Sequence, residues 1–293
     1  MIKLIVNPKA GSSGGKNIIA AFRSFFGSAL IEACVPESRE ATLTEAREAA
    51  SFPGRYEFLA SAGGDGTLNN CIEGVLQAGT RLPIAFVPAG TVNVMAVELG
   101  LSKNLEERLR AIKAMKIKSI DIGFIENPER KYFSLMCGLG FDAGIVRDVS
   151  HSLKRKIGPL AYLKKGLDEI TGFSPPLIEA EFDGAPCREK FYSAILCNSS
   201  HYGGPFHAVK NASIDDGRLD ILLMKYRSGL RYLKLGFDVT TGRGPDKNTH
   251  TVVRAEKAFF KSAGEVPCHI DSEYAGSLPL KAGVLKKAID MVL

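Results

Sequence analysis

Three times in its first third, the chain runs through an apolar, β-rich stretch, breaks into small residues and restarts as a helical pattern. IKLIV ends at Asn7-Pro8, passes a Gly–Ser turn from Gly11 to Gly15, and resumes as KNIIAAFRSFF. YEFLASA breaks at Gly63-Gly64-Asp65-Gly66-Thr67 and resumes as TLNNCIEGVLQAG, a helical pattern stopped by Gly79. LPIAFVP breaks at Val87-Pro88-Ala89-Gly90-Thr91-Val92-Asn93 before a short helix. A further strand near Ala29 to Val35 and helices at Ser38 to Ala50 and Lys103 to Met115 keep the same rhythm. Strands separated by helices of this length predict parallel βαβ units. The three turns then share the carboxyl end of one sheet, which is where open α/β sheets bind ligands.

The turns have the chemistry of an anion site. Glycine after a strand lets a phosphate approach the backbone without meeting a Cβ, and the helix that follows offers unpaired N–H groups and a positive dipole end. An aspartate in such a loop repels phosphate unless a cation intervenes, so Asp65 suggests Mg²⁺ or proton transfer. The same spacing fits a tight βα turn with an exposed aspartate. Two familiar phosphate loops are excluded. Gly11-Ser12-Ser13-Gly14-Gly15-Lys16-Asn17 is one residue short of a Walker loop and lacks its Ser/Thr. No GxGxxG opens a helix at the dinucleotide-binding distance from an acidic residue.

Beyond Ile117 the rhythm changes. SIDIGFI, KYFSLMCGLGF, LIEAEFDG, KFYSAILCN, GRLDILLMKY, HTVVRAEKAFFKS and EVPCHID follow closely, joined by Gly, Pro and Asp turns, and predict a mainly antiparallel β domain. Two helical interruptions fall at roughly Ala143 to Ser150 and Lys156 to Thr171. A length of 293 residues suits two cores, with no long basic tail behind the net charge of +6 to point to nucleic acid. The six cysteines have no CxxC or metal-finger spacing and read as buried free thiols in a reducing cytoplasm. His201, His207, His250 and His269 lack metal-ligand spacing and read as ordinary polar or half-buried residues. No stretch reaches the ~18 apolar residues of a membrane span, so membrane contact is expected to be peripheral. Lys154-Arg155-Lys156 and Lys164-Lys165, interleaved with Ile157, Leu160, Tyr162 and Leu163, read as a solvated face or an interfacial one.

VNPKAGSSGGK, SAGGDGTLNN, VPAGTVNVMA, GLGFDA, DDGRLDILL and HIDSE, in this order, resemble the diacylglycerol kinase catalytic-domain superfamily, which includes bacterial soluble lipid kinases and the sphingosine and ceramide kinases. The resemblance implies an α/β nucleotide domain over 1–122, related to NAD kinases and phosphofructokinases, to which 280–293 returns. It implies a mainly antiparallel β-sandwich lipid-substrate domain over 123–279, with the active site in the cleft between the two. It further implies an ATP-dependent lipid kinase that uses Mg²⁺, meets its lipid substrate at the membrane surface, and is compatible with a homodimer. By position, Asn7, Gly63, Gly64, Gly66, Thr67, Gly90, Thr91 and Asn93 match the nucleotide-binding elements, and Arg155 loosely matches a phosphate-reaching basic residue. Asp65 would lie near the transferred phosphate and Mg²⁺. Asp271 matches a general base and Glu273 its organising partner; an extended backbone would point both to one face. Asp142 matches a lipid-headgroup contact, and Asp215 and Asp216 a structural Mg²⁺ loop or a plain hairpin turn. Two departures stand out: Val94 replaces an aspartate, and Ser272 replaces a glycine at a position that disfavours φ > 0 in serine. A kinase of a soluble metabolite, of the NAD-kinase type, and a non-catalytic lipid- or nucleotide-binding homologue are the other readings.

Overall fold

Met1–Ile122 with Lys286–Leu293 form one folded unit, and most of Gly123–Leu285 forms a second. The computed structural model describes residues 1–10, 15–148, 175–202, 204, 206–240 and 248–293. The first unit contains β1 (Ile2–Val6), α1 (Lys16–Phe26), β2 (Ile31–Cys34), α2 (Arg39–Ala50), β3 (Phe58–Gly63), α3 (Asp65–Ala78), β4 (Ile84–Pro88), α4 (Val94–Glu98) and α5 (Leu105–Lys113). Its strands are ordered β2-β1-β3-β4 and pair in parallel, with Ile2 opposite both Ile31 and Phe58 and Leu59 opposite Ile84. β1 and β3 are buried at every position, as strands with both faces covered must be. Lys3 is the charged exception, 6% exposed, and its ammonium lies 3.0 Å from Glu32 and 2.6 Å from Glu45. The helix ends obey local rules. The Ser38 and Asn104 side chains accept the N–H groups of Ala41 and Glu107, and Gly79 closes α3 at φ 68°.

β5 (Ile117–Asn127) begins in the first unit and ends in the second, where the chain continues through β6 (Glu129–Phe133), β7 (Met136–Leu139), α6 (Phe141–Asp148), β8 (Ile178–Phe182), β9 (Ala185–Pro186), β10 (Ser193–Cys197) and β11 (Leu219–Met224). There follow α7 (Gly229–Thr240), β12 (His250–Ala255), β13 (Lys257–Ser262), β14 (Pro267–Ile270), β15 (Glu273–Ser277) and β16 (Leu280–Val292). One antiparallel layer has the order β12-β11-β10-β7-β14-β15. The other is built from β5 and β6, from β8, β9 and β13, and from the start of β16. Phe133, Leu139, Phe182, Leu196, Leu223 and Phe260 belong to the core of this β-sandwich. The expected fold class, parallel α/β followed by an antiparallel sandwich, is the one observed. The last residues of β16 lie in the first unit, where Met291 and Val292 pair in parallel with Ile84 and Ala85.

Three local expectations need correction. KYFSLMCGLGF is two strands, β6 and β7, broken at Ser134-Leu135; HTVVRAEKAFFKS is also two, β12 and β13, which serve different layers. An unbroken apolar pattern cannot show where a strand changes sheets. The segment after β11 holds a helix, α7, which its glycines conceal at the level of propensity. The expected helix at Lys156 to Thr171 lies outside the described residues. Among the described residues no helix is long and apolar enough to cross a membrane.

Candidate active site

In the first unit, three loops are held to one another by the side chains that the sequence marks as polar. Asn7, at the end of β1, donates from Nδ2 to Thr67 Oγ1 at 2.9 Å and accepts the Lys9 N–H at 2.9 Å. It thereby ties the first loop to the first turn of α3. Asp65 reaches the third loop, where its two oxygens accept the N–H groups of Val94 (2.9 Å) and Met95 (3.0 Å) and so cap α4. Burial pushes the Asp65 carboxyl up, while the Met95 and Val94 N–H groups pull it back down. Asn93, 3% exposed and left-handed at φ 56°, closes its loop with reciprocal bonds: Oδ1 accepts Gly90 N–H at 3.0 Å and Nδ2 donates to Gly90 O at 2.8 Å.

The glycines are required by this interlocking. A methyl group at Gly63 would lie 2.5 Å from Thr67 Oγ1, and one at Gly90 would lie 2.7 Å from both Asn93 Oδ1 and the Gly64 Cα. Gly66 faces open space and Thr91 is exposed. The side chains of Asn7, Asp65, Thr67 and Asn93 thus build the cradle, and backbone at the start of α3 is left to meet an anion. The structure brings all the predicted nucleotide-binding residues together except Arg155, which lies outside the described residues.

The second unit gathers Asp142, His269 and Asp271. Asp271 and Ser272 form the two-residue turn between β14 and β15, with φ of 43° and 66°. This corrects the extended backbone expected for HIDSE. Two successive positive φ values are the hairpin geometry that matches strand twist, and Ser272 adopts it despite its side chain. Asp271 Oδ1 accepts the N–H groups of Leu135 (3.0 Å) and Met136 (2.9 Å); Oδ2 accepts the Ser134 N–H (2.7 Å) and hydroxyl (3.3 Å). Four donors match the roughly four lone-pair sites of a carboxylate. The break between β6 and β7 exists where these N–H groups turn to Asp271. Glu273 is exposed at the start of β15.

Asp142 stands in the first turn of α6, its Oδ1 accepting the Ala143 N–H at 3.0 Å and its Oδ2 lying 3.0 Å from His269 Nε2. It borders a cavity of about 140 Å³ whose other walls include Phe141, Ile145, Ile195, Leu222, Tyr232 and Leu235. Among the described residues, Asp142 is the single carboxylate in that apolar lining. The α6 and α7 walls are joined by Phe141 stacked on Tyr232 at 4.2 Å. His269 is a residue that sequence reasoning missed: its spacing to other histidines carried no signal, and its partner lies far away along the chain.

Asp215 and Asp216 lie in the turn before β11. Ser213 Oγ donates to Asp215 at 2.7 Å, the Arg218 N–H to Asp216 at 3.1 Å, and the Arg254 guanidinium pairs with both Asp216 and the buried Asp220. Among the described residues no three of His, Cys, Asp and Glu converge as a metal centre. Asp65 holds two N–H donors and Asp216 pairs with Arg254, so among the described residues these carboxylates do not converge on one cation position.

Comparison with known proteins agrees with this geometry. A family model described as the diacylglycerol kinase catalytic domain matches residues 1–125, and one described as the YegS C-terminal NAD kinase beta sandwich-like domain matches residues 136–293. The diacylglycerol kinase of Bacillus subtilis (strain 168) is 25% identical over 300 residues, covering 99% of this chain and 95% of the relative. That of Staphylococcus aureus (strain bovine RF122 / ET3-1) is 27% identical over 239 residues, covering 80% and 74%. Among solved structures, a diacylglycerol kinase from Bacillus anthracis str. Sterne superposes with a TM-score of 0.75 at 19% identity, over 99% of this chain and 96% of that one. An NAD kinase from Archaeoglobus fulgidus in complex with ATP gives a TM-score of 0.52 at 14% identity, over 100% and 94%. These two structural likenesses speak to the fold.

Proposed function

Because the chain belongs to the diacylglycerol kinase catalytic-domain superfamily, we propose that it is an ATP-dependent lipid kinase that phosphorylates the hydroxyl of diacylglycerol or a related lipid. The observation that carries this reading is the second unit's apolar cavity with one carboxylate, Asp142, in its wall. An acyl chain gains from leaving water, at roughly 25 cal/mol per Å² of apolar surface, and a lipid hydroxyl needs a polar acceptor at the end of such a cavity. A soluble polar metabolite has no use for it.

ATP supplies the γ-phosphoryl group when bound. The glycine cradle fits its phosphates: Gly63 and Gly90 leave no room for Cβ atoms, and α3 directs its N-terminus there. In this reading Asp65 is a positioning residue that locks the second and third loops together. Positioning and charge stabilisation are the main work in phosphoryl transfer, and a preformed backbone cradle contributes both. Asp142 receives the acceptor hydroxyl. Asp271, the general base expected from the resemblance, accepts an acceptor proton only by releasing one of its four donors, of which the Ser134 hydroxyl at 3.3 Å is the longest. Its anchoring suits it equally to shaping the Ser134–Met136 backbone.

α7 supports docking at a lipid surface. Tyr232 and Leu235 face the cavity, whereas Leu230 is 68% exposed and Arg227, Arg231 and Lys234 are exposed around it. The six free thiols fit a reducing compartment.

The test is transfer of label from γ-labelled ATP to a total lipid extract and, separately, to a pool of soluble metabolites, with the product identified by mass. Label in a lipid phosphate is expected. Label confined to the soluble pool would establish the NAD-kinase-type alternative, and ATP binding without transfer to either pool would mark a non-catalytic homologue.

A further inference from the structure

His269 has no role in the reaction as outlined, and its surroundings do not look like those of a core residue. The residue is 2% exposed, and its two ring nitrogens face different surroundings. Nε2 lies 3.0 Å from Asp142 Oδ2, while Nδ1 is buried without a hydrogen-bond partner among the described residues. A buried donor with no acceptor is costly, whereas an unprotonated ring nitrogen in the same place costs less. The proton therefore belongs on Nε2, donated to Asp142. The pair occupies space left by a glycine in β7: a methyl group at Gly138 would lie 2.1 Å from Asp142 Oδ2 and 2.3 Å from His269 Nε2. Small backbone, buried imidazole and carboxylate are thus fitted to one another at the edge of the apolar cavity.

This arrangement fixes Asp142. Its Oδ1 takes the Ala143 N–H and its Oδ2 the His269 N–H, and each oxygen keeps one lone pair. A carboxylate alone in an apolar wall would otherwise be free to rotate. We propose that His269 is a positioning residue for the lipid acceptor: it holds Asp142 aimed, so that the hydroxyl or amino hydrogen of a lipid headgroup meets a fixed acceptor. The proposal rests on the lipid-kinase reading of the cavity. It predicts that a headgroup lacking any N–H or O–H donor gains nothing from the pair.

Three substitutions and one spectrum test it. His269→Leu removes the donor and is expected to raise KM for the lipid by about 10- to 100-fold, the scale of a hydrogen bond to a charged group, with KM for ATP unchanged. His269→Gln, whose amide N–H can replace the Nε2 donor, is expected to recover most of the loss. Asp142→Asn is expected to raise lipid KM on its own, and combining it with His269→Leu should add little, because both remove the same interaction. Nitrogen-15 NMR of the imidazole is expected to show the neutral Nε2–H tautomer, with the signal displaced in Asp142→Asn; this readout needs no turnover and no His269 variant that must fold. A lipid KM unmoved in His269→Leu, full additivity with Asp142→Asn, no recovery in His269→Gln, or an Nδ1–H tautomer would each overturn the proposal. A wild-type chain that phosphorylates soluble metabolites and no lipid would overturn the underlying reading and the proposal together, which separates the two failures.

Discussion

Asp65 illustrates how little a residue's identity says about its employment. An aspartate between glycines invites a metal or a proton, yet both its oxygens are occupied by backbone N–H groups at the start of α4. Val94, the departure from the family pattern, takes part through its N–H, which needs no particular side chain. Asparagine at position 65 offers one acceptor and one amino group, so one of the two N–H donors would face another donor. Asp65→Asn is expected to cost about 1–3 kcal/mol of stability and to lower turnover through a loosened cradle. A melting temperature equal to wild type, measured by circular dichroism, would show that the cap carries no such weight. Asp271 follows the same logic: the resemblance marks its position, but only its contacts reveal a carboxylate surrounded by Ser134, Leu135 and Met136.

At the scale of elements, the βα units were legible because each is a local pattern. The apolar runs of β1, β3 and β4, the stop at Gly79 and the cap at Ser38 all follow from neighbours a few residues apart. α7 was not legible, since Gly229 and Gly236 dilute its helical signal and its apolar stripe is recognisable only once α6 and the cavity stand beside it. Its exposed side yields a prediction of its own. Leu230→Glu reverses both the apolar and the charge match to an anionic surface, and binding to phosphatidylglycerol-containing vesicles in a sedimentation assay is expected to fall several-fold, with little change on a short-chain lipid dispersed as monomers. Equal sedimentation of variant and wild type would remove α7 from the docking surface.

For the whole molecule, one buried cation joins the returning end of the last strand to the first unit. Arg108, 1% exposed on α5, donates from Nε to Phe86 O at 2.7 Å and from Nη2 to Val292 O at 2.5 Å, joining β4 to the end of β16. Burial pushes its guanidinium down to about 10, so it remains charged at neutral pH. Arg108→Met keeps the apolar stem but strands two buried carbonyls. It is expected to cost about 2 kcal/mol or more, read as a lower urea midpoint; an unchanged midpoint would mean that β16 is held by its ladder and packing alone. The sequence by itself determined the two-part architecture, the glycine loops at the sheet's carboxyl end and the order of motifs that marks the family, because each is written in spacings of a few residues. Tertiary structure alone decided which acids are anchors, that Asp142 meets His269 beside a glycine, and that Asp142 edges an apolar cavity. Those facts depend on which distant segments a strand register brings face to face, and no local periodicity encodes that register.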